Sequence, residues 1–90
     1  MAKNNTKLKN EQKIKIDFFN LYAGLRYVLK ISGKENDTYL KCLIEEISEK
    51  IKEHEIKSID VIEDYTLKMK DFCRRNYMNF EYIITLGENQ

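Results

Sequence analysis

The feature that most restricts the fold of this chain is its lack of turn-forming residues: it has no proline and only three glycines in 90 residues. Sandwiches and barrels built from many short strands need frequent tight turns, which Gly and Pro commonly form. The interior of a helix, in contrast, excludes proline. The sequence therefore predicts an all-α domain with a few long helices.

The length and composition indicate one domain. Two independent cores do not fit in 90 residues. Hydrophobic residues make up 42% of the chain, which is enough for collapse even though charged residues reach 34%. No apolar run approaches the roughly 20 residues of a membrane span, and no signal-peptide core follows Met1. We therefore expect a cytoplasmic protein that does not enter the membrane.

Apolar residues recur at steps of three and four over most of the chain, which is the spacing of one helix face. The pattern predicts three long helices: residues 10–31 with Asn10 as the cap, 36 or 37 to about 54, and about 58–76 with Ser58 as the cap. Ser32 and Gly33 are expected to end the first helix. The residues predicted to face the core are Ile14, Phe18, Leu21, Leu25 and Val28 in the first helix, Leu40, Leu43, Ile44, Ile47 and Ile51 in the second, and Ile59, Ile62, Tyr65, Met69, Phe72 and Cys73 in the third.

The segment of residues 79–86 fits two structures. Its Tyr, Ile and Thr content and the alternation of Phe80, Tyr82, Ile84 and Leu86 are typical of a strand. A single strand, however, leaves its backbone hydrogen bonds unmade unless it pairs with residues 13–19 or with another chain. A short fourth helix avoids this cost, and we favour it. The predicted fold is thus a small helical bundle of three long helices plus a short C-terminal helix or strand.

Charge is distributed unevenly along the chain, although the net charge is only +1. Residues 1–34 carry eight basic and two acidic side chains, whereas residues 35–67 carry four basic and ten acidic ones. Residues 1–9 offer almost nothing to a core, so they are predicted to be a flexible basic arm on a single helical domain of residues 10–90. Either the two blocks neutralise each other or remain solvated, or the basic end binds nucleic acid or an acidic partner.

The first predicted helix is apolar on nearly every side. Ile16, Tyr27 and Ile31 fall outside the stripe that would face the core. Ala23 and Gly24 at its midpoint would let another backbone approach closely. A chain of this size has few helices to cover such a surface, so we expect a second copy or another protein to do so. The predicted interface residues on this helix are Ile16, Phe19, Tyr27 and Ile31.

The second predicted helix carries an acidic stripe, Glu46, Glu49 and Glu53, opposite its core face. We expect these three residues either to contact a basic partner or to remain solvated. Carboxylates one helical turn apart also roughly match the spacing of nucleic-acid phosphates. A third interpretation is therefore that the stripe imitates nucleic acid toward a basic target.

No residue pattern in the chain indicates catalysis. P-loop, GxGxxG, HExxH, GxSxG and CxxC motifs do not occur. The single histidine, His54, is near neither Cys42 nor Cys73 in sequence, and these three residues are too few for a four-ligand zinc site. We expect reduced thiols and a surface histidine at a helix end. No catalytic residue, metal or cofactor is therefore predicted.

These patterns predict a non-catalytic regulator, inhibitor or assembly protein that binds another protein, or a copy of itself, through helix faces. Its many Lys, Asn and Ile residues suggest an AT-rich genome, such as that of a phage or plasmid.

The alternative prediction is a nucleic-acid-binding regulator. A helix-turn-helix is disfavoured, because the third helix would present Asp60, Glu63 and Asp64 at its start. The aromatic residues Tyr77, Phe80 and Tyr82 resemble a stacking platform, although three aromatics so close together are more often core residues. The predicted nucleic-acid contacts are Lys7, Lys9, Lys13, Lys15, Arg74 and Arg75.

Overall fold

The protein is an all-helical bundle, as the sequence predicted. A computed structural model describes the backbone of residues 2–31 and 38–90 and the side chains of residues 10–31 and 38–90. Within these ranges there is no strand, and the helices are α1 (Ala2–Ile31), α2 (Thr38–Lys52), α3 (Ile59–Arg75) and α4 (Phe80–Glu88). Three long helices and a shorter C-terminal one confirm the predicted fold class.

The predicted start of the first helix is wrong. The structure begins α1 at Ala2 rather than at Asn10, because the Lys-rich segment contains no helix-breaking residue and lysine is a good helix former. The flexibility of the basic arm stays a prediction. The expected stop at Ser32 and Gly33, and the expected start of the second helix at residue 36 or 37, lie outside the described residues.

Two helices end in hydrogen-bonded caps that require a left-handed residue. At the end of α2, the His54 N–H donates to the Ile51 carbonyl at 3.1 Å and the Glu55 N–H to the Lys50 carbonyl at 3.0 Å. This is the Schellman pattern, in which glycine usually follows the helix, yet His54 has φ 58°. The helix therefore ends at Lys52, two residues before the predicted end.

The same cap ends α3. The Tyr77 N–H donates to the Arg74 carbonyl at 3.3 Å and the Met78 N–H to the Cys73 carbonyl at 2.8 Å, and Tyr77 has φ 58°. At the other end of α3 the predicted cap is confirmed, since the Ser58 Oγ accepts a hydrogen bond from the Asp60 N–H at 3.1 Å.

The predicted core faces of the three long helices are confirmed, with one exception. Ile59 is only half-buried, and Ile14, Val28 and Ile51 pack at the edge of the core. The buried hydrophobic side chains are Phe18, Leu21, Tyr22 and Leu25 of α1, Leu40, Leu43, Ile44 and Ile47 of α2, Ile62, Tyr65, Met69, Phe72 and Cys73 of α3, and Ile83 of α4.

The ambiguous C-terminal segment is a helix, so the strand interpretation is wrong. Asn79 caps α4 through its Oδ1, which accepts hydrogen bonds from the Glu81 N–H at 2.9 Å and the Tyr82 N–H at 3.4 Å. The helix packs most extensively against α1 and runs antiparallel to it. The helical conformation satisfies the backbone hydrogen bonds of residues 80–88 internally, and packing on α1 covers apolar residues of α4.

A glycine on each helix permits the close contact between α1 and α4. A Cβ atom built on Gly24 would overlap the carbonyl oxygen of Ile83, and one built on Gly87 would overlap the carbonyl oxygen of Asn20. The predicted close approach is therefore confirmed at Gly24. The backbone that approaches there belongs to α4 of the same chain, so the expectation of a second copy or another protein at this point of α1 is wrong.

Candidate protein-binding surface

The side of α1 that faces away from the core carries several exposed apolar residues. Ile16, Phe19 and Ile31 are 59%, 46% and 60% exposed, while Ala23 and Tyr27 are half-buried. At 3.6 residues per turn these five positions fall within an arc of about 120° opposite the core-facing residues. We call this set of five residues the outer face of α1. It contains all four interface residues predicted for this helix.

Phe19 of the outer face packs against a buried aromatic ring. The Phe19 ring meets the ring of buried Phe18 edge-on, with a centroid separation of 4.9 Å and an interplanar angle of 73°. This is a favourable aromatic geometry. Phe19 is therefore a partly ordered anchor, which loses less conformational entropy on binding than a free side chain would.

Basic side chains lie at one edge of the outer face and among its residues, since the helical position of Lys30 falls between those of Phe19 and Ala23. Lys15, Arg26 and Lys30 are exposed, and among the described residues none of them forms an ion pair. Lys13 differs because its Nζ lies 2.9 Å from Asp17 Oδ2, and this hydrogen bond raises the pKa of Lys13. The surface offered by α1 thus combines apolar anchors with unpaired positive charge.

A small cavity lies between α1 and α2, beside the outer face. Its volume is about 280 Å³, and it is lined by Arg26, Leu29 and Lys30 of α1 and by Lys41 and Ile44 of α2. We call it the α1–α2 pocket. The sequence alone did not indicate this site, because its residues come from two helices whose pairing is set by the fold. The sequence shows only that Arg26 and Lys30 carry like charges one helical turn apart.

The predicted acidic stripe of α2 forms one side of a shallow groove. Glu46, Glu49 and Glu53 are exposed and lie together with Cys42, Glu45 and Lys50 around a volume of about 440 Å³. The Tyr65 hydroxyl donates to Glu46 Oε1 at 3.2 Å, and the Lys50 Nζ lies 2.6 Å from Glu55 Oε2. A hydrogen bond with Glu55 raises the pKa of Glu53. The role of the stripe stays a prediction.

The turn between α3 and α4 presents two exposed aromatic residues. Tyr77 is 99% exposed and Tyr82 is 62% exposed, so interpreting them as core residues is wrong. Only Phe80 is half-buried, and the Lys70 Nζ lies 4.8 Å from the centroid of its ring. We call the groove of about 570 Å³ at this turn the α3–α4 corner; its lining residues are Arg74, Tyr77, Met78, Asn79, Phe80 and Glu81.

The predicted nucleic-acid residues do not form one site among the described residues. Arg74 is exposed at the α3–α4 corner, whereas Arg75 pairs with Asp71 at 3.0 Å. Lys13 and Lys15 lie on α1, and no described contact joins them to either arginine. Lys7 and Lys9 also belong to α1, but their side chains lie outside the described residues.

In the described part of the chain, no group of three or more His, Cys, Asp or Glu side chains is arranged to hold a metal ion. None of the described helices is long and apolar enough to cross a membrane. Comparisons with protein-family models, curated proteins and solved structures found no match to this chain.

Proposed function

We propose that this chain acts without catalysis by binding another protein through the outer face of α1. The observation that carries the proposal is the exposure of Ile16, Phe19 and Ile31 on the side of α1 opposite a complete core. An isolated exposed apolar residue needs no explanation, but a row of them along one helix is typical of an interaction surface. Covering their exposed halves contributes on the order of 1 kcal/mol each.

The charges beside the outer face favour an acidic amphipathic segment as the partner. Lys15, Arg26 and Lys30 border the apolar residues and have no carboxylate partner in the described structure. Two copies of α1 packed on each other through this face would bring these cations together, which is unfavourable. A helix with an apolar stripe and flanking Asp or Glu residues matches both properties.

Binding of this kind fits a regulator, an inhibitor or an assembly factor. Such a protein acts by covering or holding a surface of its partner, for which the anchors on α1 suffice. A phage or plasmid origin remains part of the proposal and rests on composition alone.

The test uses a double substitution of the outer face and a matched control. Ile16→Ser with Phe19→Ser removes two anchors, and Leu67→Ser removes an apolar residue that is 66% exposed on α3. A partner is captured from the host with the unchanged chain, identified by mass spectrometry and titrated against all three proteins by calorimetry. We expect roughly 30-fold weaker binding for the double variant and unchanged binding for the control, because the two anchors together contribute about 2 kcal/mol.

Equal affinities of the double variant and the control would contradict the proposal. So would a captured partner whose bound segment carries no acidic residues. If light scattering shows that the unchanged chain is a dimer and the double variant a monomer, the outer face instead joins two copies of this chain.

A second candidate function is binding of single-stranded nucleic acid at the α3–α4 corner. The exposure of Tyr77 and Tyr82 favours it, because bases stack on such rings, and Arg74 provides a cation for phosphate. The measurement is fluorescence anisotropy of a labelled oligonucleotide at several salt concentrations. Tyr77→Ala and Arg74→Gln should weaken binding, Lys57→Gln should not, and affinity should fall steeply with salt. Binding that is insensitive to salt would exclude this function.

A further inference from the structure

Three cations line the α1–α2 pocket, and none of its described lining residues is acidic. Arg26, Lys30 and Lys41 contribute to its wall, and none of them forms an ion pair with a described carboxylate. Other cations of the same helices do form ion pairs, as Lys13 does with Asp17 and Lys50 with Glu55. Three cations without a described ion pair therefore meet at this cavity.

The rest of the pocket is apolar. Leu29 and Ile44 form its floor, and both lie at the edge of or within the hydrophobic core. Beside apolar walls the effective dielectric is lower than in water, so repulsion among the three cations is stronger than on an open surface. Arg26 and Lys30 also stand one helical turn apart, where like charges repel. An anion seated among them would relieve this repulsion.

One of the three cations is held in place by a second contact. The Arg26 guanidinium carbon lies 5.5 Å from the centroid of the buried Tyr22 ring, a cation–π arrangement that limits its motion. A guanidinium fixed in this way offers two parallel N–H donors to a carboxylate or phosphate. Lys30 and Lys41 reach the cavity from opposite walls and add charge without fixed geometry.

We propose that the α1–α2 pocket binds a small organic anion, a carboxylate or phosphate joined to a short apolar body. The anionic group lies among Arg26, Lys30 and Lys41, and the apolar body covers Leu29 and Ile44. The cavity of about 280 Å³ is slightly smaller than most small-molecule sites, which are roughly 300–1,000 Å³, so the ligand is small. This inference does not depend on the protein partner proposed for the outer face, and its test needs no partner.

The first experiment compares probes that share an apolar body and differ in charge. Hexanoate, hexyl phosphate, hexanol and hexylamine are titrated into the full chain, and backbone amide shifts are followed by NMR. We expect the two anions to shift the signals of the pocket residues and to bind about tenfold or more tightly than hexanol, as charge-assisted hydrogen bonds are strong. The tighter of the two anions identifies the preferred headgroup. Equal effects of anion and alcohol, or shifts confined to other surfaces, would overturn the proposal.

The second experiment removes one wall charge and uses a matched control. Lys41→Glu reverses an exposed lysine of α2 at the pocket, whereas Lys52→Glu reverses an exposed lysine of the same helix that does not line it. Both change the net charge equally, and circular dichroism checks that both remain folded. We expect the affinity for hexanoate to fall about tenfold or more in Lys41→Glu and to stay within about twofold in Lys52→Glu. Equal losses in both would show a general charge effect and overturn the site.

Discussion

The side chain of Tyr77 adds no packing to the fold, and its backbone conformation is one that glycine adopts more easily. Its backbone is left-handed, with φ 58°, because the cap that ends α3 requires that conformation. A bulky residue there is strained, and glycine is the usual choice. The ring is 99% exposed, so packing does not compensate for the strain. Strain of this kind is often retained at functional positions, which agrees with the second candidate function at the α3–α4 corner.

Replacing Tyr77 by glycine should stabilise the protein. The substitution relieves roughly 1–2 kcal/mol of left-handed strain and loses about 0.5–1 kcal/mol through the flexibility of glycine in the unfolded chain. We expect a net gain of about 0.5–1 kcal/mol in the free energy of unfolding, measured by urea denaturation. Tyr77→Ala keeps the strain and serves as the control. A less stable glycine variant would show that the ring makes a contact that its exposure does not reveal.

The two cysteines should differ sharply in reactivity. Cys42 is exposed, whereas Cys73 is buried in the core and its burial raises the pKa of the thiol to about 11. Since the thiolate is the reactive form, a chromogenic disulfide reagent near neutral pH should modify one thiol quickly and Cys73 only after unfolding. In Cys42→Ser the fast phase should disappear. Rapid modification of Cys73 in that variant would contradict the burial of this side chain.

The raised pKa of Cys73 also makes stability depend on pH. Below the usual thiol pKa of 9.0 the group is protonated in both folded and unfolded chains and has no effect on the pH dependence. Between 9.0 and about 11 the unfolded chain loses this proton while the folded chain keeps it, so stability falls as the pH rises. Urea unfolding across this range should show the fall, and Cys73→Ala should reduce it. An identical pH dependence in that variant would assign the fall to other groups.

At the scale of the helices, sequence periodicity was a reliable guide wherever one face is buried. Leu40 and Ile47 of α2 and Ile62 and Met69 of α3 are buried as predicted, because residues seven apart lie on the same face of a helix. The outer face of α1 could be anticipated for the same reason. The α1–α2 pocket could not, because no periodicity within one helix shows which helix lies beside it.

Sequence periodicity did not decide between helix and strand for α4, because nine residues are too few to distinguish the period of a helix from that of a strand. Phe80, Tyr82 and Ile84 alternate as in a strand, but Ile83 and Gly87 are four residues apart and share one face of a helix. What decides for the helix is the fit of Gly24 and Gly87 against the backbone of the facing helix. Such a contact depends on the tertiary structure and is invisible in the segment itself.

Alanine at Gly24 should therefore destabilise the protein, although alanine is the better helix former. The added Cβ would overlap the Ile83 carbonyl, and overpacking of this kind costs roughly 1–3 kcal/mol. The gain in helix propensity is about 1 kcal/mol, so we expect a net loss of up to about 2 kcal/mol in thermal or urea unfolding. Gly87→Ala should behave alike, because its Cβ would meet the Asn20 carbonyl. If both variants are more stable than the unchanged chain, α1 and α4 do not pack at these residues.

Across the whole molecule, charge is separated onto different surfaces. Lys15, Arg26 and Lys30 lie at the edge of the outer face of α1 or among its residues, while Glu46 and Glu49 lie in the acidic groove of α2. A net charge of only +1 therefore conceals a dipole that orients an approaching charged partner. For an acidic partner, the association rate should depend on salt more strongly than the dissociation rate does.

Removing α4 should affect the whole domain rather than its end alone. A chain cut after Met78 loses the helix that packs most extensively against α1, including Ile83, which packs against Gly24. We expect the truncated chain to unfold at a lower temperature and with a broader transition, because α1 then lacks one of its buried sides. Removal of only Asn89 and Gln90, which follow the helix, is the control. If the chain cut after Met78 unfolds sharply at the original temperature, α4 does not contribute to the stability of the domain.

The antiparallel contact between α1 and α4 also sets an order of events during synthesis. It joins the first and the last described helices, so it is among the contacts with the longest loop to close. On the ribosome α1 emerges before α2 and α3 have been made. Until α4 follows, the side of α1 that contains Gly24 is exposed to water and to other chains. Native packing along α1 is completed only when α4 has left the exit tunnel, so this domain cannot finish folding before its last helix has been made.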